Sequence, residues 1–78
     1  MKTYRMRSRA YKDGRDSWVD LTVEFEGDRA FAVWETIRLG NYALKARVEI
    51  DPGQLRPADE EVDFVYRGEL VLPTPYNN

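Results

Sequence analysis

A chain of 78 residues with 42% apolar and 13% aromatic side chains has enough for one small core and is too apolar to stay disordered. It contains no cysteine and no histidine, which excludes disulfide staples, thiolate and imidazole metal sites, and Cys or His catalysis. The net charge of −2 is unevenly placed: residues 1–15 hold six bases against Asp13 alone, whereas residues 16–78 hold six bases against thirteen acids.

From Lys2 to Lys12 side chains alternate with period two. Tyr4, Met6, Ser8 and Ala10 share one face, and Arg5, Arg7, Arg9 and Tyr11 the other, which predicts a half-exposed strand. The start carries no apolar signal core and no apolar run approaches membrane-spanning length, so the cytoplasm is the expected location. From Ser17 to Glu26 a second strand follows, with Val19, Leu21, Val23 and Phe25 opposite Asp20, Thr22, Glu24 and Glu26. The intervening KDGRDS is a hairpin signal.

Two registers fit that hairpin. A four-residue loop sets Lys12 against Ser17, Arg9 against Asp20 and Arg5 against Glu24. A two-residue Asp-Gly turn sets Lys12 against Arg15, Arg7 against Asp20 and Arg9 against Trp18. The first is preferred because it avoids a like-charge pair. Both keep the same faces together.

The stretch FAVWETIRLGNYALKARVEI predicts a second hairpin about Gly40-Asn41. Folding there pairs Leu39 with Tyr42, Ile37 with Leu44, Val33 with Val48, Phe31 with Ile50 and Trp34 with Arg47. The alternative is an α+β fold with a helix at about 29–39, capped by Asp28 and Gly40. The link Gly27-Asp28 reads as a further tight turn, and in that register both faces of the third strand are apolar. A bulge, closure into a barrel or a covering partner would each answer this.

DPGQLRPADEE reads as a loop that Leu55 pins to the core, and VDFVYRGELVL as a last strand with a bulge or bend at Gly68. The expected fold is therefore all-β: five antiparallel strands from consecutive hairpins, in a small barrel or strongly coiled sheet. One domain would span 1–73, followed by a flexible tail at 74–78. A homodimer is the alternative answer to the spare apolar face.

Candidate sites follow from this arrangement. Arg5, Arg7 and Arg9, with Trp18 nearby, form either an electrostatic footprint with stacking rings or a strand face neutralised by Asp20, Glu24 and Glu26. Trp34 and Arg47 would make a cation–π pair. Glu35, on an apolar strand face, is the only candidate acid, and it has no partner acid. The acids Asp59, Glu60, Glu61 and Asp63 lack EF-hand spacing and read as a solvated run that complements the first strand.

No phosphate loop, dinucleotide fingerprint, nucleophile elbow or zinc spacing occurs. The expectation is a non-enzymatic module working by protein–protein contact, a regulator or inhibitor of bacterial or phage origin. It needs no cofactor and binds through Arg5, Arg7, Arg9, Trp18, Trp34 and Arg47. A nucleic-acid-binding barrel using the same arginine row is the alternative.

Overall fold

The computed structural model of the chain describes residues 2–12 and 14–72, without the side chains of residues 12 and 36–39. The expected tail at 74–78 lies outside the described residues. Six strands form one mixed sheet: β1 (Lys2–Lys12), β2 (Arg15–Glu26), β3 (Arg29–Leu39), β4 (Tyr42–Ile50), β5 (Leu55–Pro57) and β6 (Phe64–Val71). A 3₁₀ turn, Pro52–Gln54, precedes β5, and there is no α-helix among the described residues. Residues 29–39 are therefore strand and not helix.

The spatial order is β4-β3-β2-β1-β6-β5. Three tight turns make β1 to β4 antiparallel neighbours, as the alternation predicts. Gly14 adopts φ +77° and Gly40 φ +57°, the left-handed conformation that such turns require and L side chains resist.

Two expectations fail for one geometric reason. Three hairpins leave the end of β4 at the same end of the sheet as the start of β1. The chain then passes through residues 51–63 to the free edge of β1. It leaves that end in the direction of β1, so β6 pairs with β1 in parallel, Met6 against Phe64 and Ala10 against Leu70. The sheet is mixed and stays open, with β4 and β5 as its two edges, so neither the barrel nor the all-antiparallel pairing is present. The connection read as a plain loop also contributes a sixth strand, β5, in which Leu55 pairs with Tyr66.

The β1–β2 register is that of the two-residue turn. Lys12 faces Arg15, Arg7 faces Asp20 and Arg5 faces Thr22, against the preferred four-residue loop. In β3–β4 the pairs Leu39–Tyr42 and Ile37–Leu44 hold. A shift between Glu35 and Ile37 then places Trp34 opposite Ala46, Val33 opposite Arg47 and Phe31 opposite Glu49. One extra residue, Thr36, moves every later pair by one position.

The inner face carries the core: Met6, Ala10, Leu21, Val23, Ala30, Ala32, Ile50, Leu55, Tyr66, Leu70 and Leu72. Tyr4, Phe25 and Phe64 close one end as a ring cluster with centroids 5.5 to 5.6 Å apart. Ser8 is fully buried among them, its hydroxyl 3.1 Å from the Arg9 carbonyl and 3.4 Å from that of Gly68. Pairing with β1 skips from Tyr66 to Glu69, so Gly68 lies in the expected irregularity. A side chain there would meet the Tyr66 ring.

The spare apolar residues of β3 are covered from within. Phe31 and Val33 lie on the outer face yet are 6% and 9% exposed. The Arg47 guanidinium sits 3.6 Å from the Phe31 ring centroid and that of Arg29 sits 5.0 Å away. Each is held in place by carboxylates, Arg47 by Glu24 and Glu26 and Arg29 by Glu49. A charged roof thus covers Phe31 and Val33, for which the sequence left open a bulge, barrel closure or a covering partner.

Candidate binding face on the outer side of the sheet

Period-two alternation puts Arg5, Arg7, Arg9 and Tyr11 of β1 on the outer face, and the turn at Gly14 fixes which β2 residues they meet. Arg7 Nε donates to Asp20 Oδ1 at 2.9 Å, and its Nη2 donates to Glu61 Oε2 at 3.4 Å. Arg9 Nε and Nη2 both donate to Asp16 Oδ2, at 3.1 and 2.9 Å. Arg5 reaches Asp20 only at 3.5 Å and its side chain is 63% exposed. Donating to the Asp20 and Asp16 carboxylates raises the pKa of Arg7 and Arg9, so both guanidiniums stay charged throughout the usable pH range.

The acidic run supplies part of this pattern. Glu61 joins Arg7, and Asp63 ties the backbone of β1 from both sides. Its carboxylate accepts from the Arg5 amide at 3.1 Å, and its own amide donates to the Arg5 carbonyl at 2.9 Å. Asp59 accepts from the Glu61 amide at 3.0 Å, which holds the turn. Among the described residues no group of acids could hold a metal ion.

Between these ion pairs lies a groove of about 550 Å³, lined by Arg7, Trp18, Asp20 and Val65. Trp18 stands directly opposite Arg9 and is 56% exposed. Tyr11, 51% exposed, lies diagonally from it and is paired across β6 with Val71, which is 76% exposed. The face therefore presents exposed rings and aliphatic groups inside a rim of arginine–carboxylate pairs. Such a surface suits contact with another macromolecule, because an apolar anchor can be desolvated while the rim sets orientation.

The six residues singled out from sequence do not converge. Arg5, Arg7, Arg9 and Trp18 share the β1–β2 outer face. Arg47 is on that side of the sheet but across it, on β4, stacked on Phe31. Trp34 is on the inner face in phase with Ala30 and Ala32, and the shift at Thr36 sets it opposite Ala46 and carries Arg47 to the outer face, so the expected Trp34–Arg47 pair does not form. Trp34 stands where β2 and β3 part, their pairing ending at Thr22–Val33, and its indole N–H is buried with no hydrogen-bond partner. Glu35 is exposed opposite Lys45 and lines one cavity with Glu24, Thr22 and Lys45.

Val65 and Val71 were not anticipated. Their placement depends on the parallel β1–β6 pairing, and no local pattern announces a pairing between residues so far apart in sequence. No helix among the described residues is long and apolar enough to cross a membrane. Comparison with known protein families, with curated proteins and with solved structures finds no match to this chain.

Proposed function

We propose that this chain is a non-enzymatic binding module acting by protein–protein contact, a small cytoplasmic regulator or inhibitor whose contact surface is the outer face of β6, β1 and β2. The observation that carries this is the exposed Trp18 beside Tyr11, Val65 and Val71, within reach of Arg7. Trp, Tyr and Arg dominate interface hot spots, and here Trp18 and Arg7 line one groove with Tyr11 on the same face.

The alternative, binding of nucleic acid by the arginine row, is weakened by the same geometry. Arg5, Arg7 and Arg9 each have a carboxylate within 3.5 Å, and those carboxylates repel phosphate. Protein partners tolerate such mixed charge, and the rim pairs then govern encounter rate and orientation.

The test is capture from the native host with the wild-type chain, Trp18→Ala and Arg29→Ala. A specific partner retained by wild type and Arg29→Ala but lost with Trp18→Ala supports this surface. Equal retention by all three variants, or salt-sensitive retention on heparin or oligonucleotides in place of a protein, sinks it.

A further inference from the structure

The two edges of the sheet are unlike. β5 is three residues long and ends in Pro57, which blunts that edge in two ways. β4 runs nine residues without proline, and its pairing irregularity lies on β3. Its free side offers a row of backbone donors and acceptors. Its inner-face side chains are apolar and outside the core: Tyr42 is 78%, Leu44 56% and Val48 41% exposed. An exposed, apolar, unblunted edge is a template for another strand.

We infer that β4 pairs antiparallel with β4 of a second copy of this chain, joining the two sheets edge to edge about a two-fold axis at Arg47. The charge pattern of YALKARVEI selects this occupant and this register. An axis at Lys45 sets Lys45 against itself, and an axis at Ala46 sets Lys45 against Arg47 of the other copy, so both place base on base. An axis at Val48 pairs opposite charges but shortens the ladder to Ala46–Ile50 and leaves Leu44 uncovered.

With the axis at Arg47, Lys45 faces Glu49 of the second copy, twice by symmetry. On the inner face Leu44 meets Ile50 and Ala46 meets Val48. Arg47 meets its own copy, but each guanidinium is already held by Glu24 and Glu26 of its own sheet. Lys45 stands opposite Glu35 on β3 and Glu49 is held by Arg29, so the cross-edge Lys45–Glu49 attraction adds to pairs already present on each outer face.

This surface is separate from the groove at Trp18, so dimerisation and partner capture stand or fall independently. Sedimentation of the full chain over a concentration series tests it, with an expected Kd of about 100 μM, the range of a small interface. A chain that remains monomeric at about 1 mM overturns the proposal.

The register has its own test. Lys45→Glu alone sets acid against acid, and Glu49→Lys alone sets base against base, so each weakens self-association about tenfold or more. In a mixture of the two variants, the new acid at position 45 of one chain faces the new base at position 49 of the other. The unchanged Glu49 and Lys45 face each other at the second position, so both pairs are restored and association returns. A mixture that associates no better than either variant overturns the register. Amide exchange of the wild-type chain needs no variant: outward β4 amides gain protection with concentration, and exchange independent of concentration counts against the edge.

Discussion

Replacing Arg47 tests whether it belongs to the architecture or to a binding site. In sequence the residue reads as half of a cation–π hot spot; in the structure it covers Phe31, an aromatic ring on the wrong face of the sheet. Arg47→Ala removes a guanidinium 3.6 Å from the ring centroid and opens the roof. Uncovering about 50 Å² of ring at about 25 cal/mol/Å² costs about 1.2 kcal/mol. The lost cation–π contact adds about 0.5–1 kcal/mol. The ion pairs to Glu24 and Glu26 contribute only about 0.5 kcal/mol together, since the Arg47 side chain is 41% exposed and salt screens it. The expected loss is therefore about 2–3 kcal/mol, about half of it from burial.

Arg47→Met separates these contributions. Methionine keeps an unbranched apolar chain over the ring and loses the charge, so it costs about half as much. Urea denaturation followed by circular dichroism, at low micromolar protein to keep the chain monomeric, measures both. About 1 M salt should leave most of the Arg47→Ala loss intact, because burial is not screened. A loss below about 0.5 kcal/mol, or equal losses for Ala and Met, refutes the covering role.

Other outcomes follow from single contacts. Gly68→Ala places a methyl carbon 2.6 Å from Tyr66 Cε2, so the buried ring must move, and stability falls by about 1–3 kcal/mol in the same assay. A Gly68→Ala chain as stable as wild type would show that the ring is not seated there. Trp34→Phe is expected to cost less than about 1 kcal/mol, because it discards an indole N–H that has no partner, whereas Trp34→Ala costs at least about 2 kcal/mol. Similar losses for the two would mean that the N–H is satisfied.

The Arg29 hydrogen bond holds the Glu49 carboxyl below its ordinary value of 4.5. A depressed carboxyl pKa stabilises the fold above the unfolded value, and that stabilisation is lost as pH falls through the folded one. Glu49→Gln should thus flatten the acid limb of stability against pH below 4.5, and an unchanged slope contradicts the pairing.

Alternation in Lys2–Lys12 and Ser17–Glu26 is enough to assign strands and faces, because each strand has one wet side. The register of that hairpin is misread through Lys12 and Arg15. Two like charges at a hairpin end repel weakly in water, while an Asp-Gly turn matches the twist of the strands, so turn geometry wins over charge. The shift at Thr36 is unreadable for a different reason. No glycine or proline marks it; it brings Arg47 over Phe31, a requirement of tertiary packing that no local pattern carries. The arginine row is legible together with its acidic neighbours, but the groove is not. Val65 reaches it, and Val71 comes beside Tyr11, only through a parallel pairing set by the path of the whole chain.

That path gives the binding face an order of assembly. β1 precedes the other five strands of the sheet, yet one of its edges is completed only by β6, the strand that follows them all. Until residues 61–71 leave the ribosome, Arg7 lacks Glu61 and Tyr11 lacks Val71, and the groove has only one wall. Contacts across so long a stretch of chain form late and slowly. The surface proposed to meet a partner is thus completed only when β6 docks on β1, so a chain cut before β6 keeps Arg7 and Trp18 but lacks the wall that Val65 supplies.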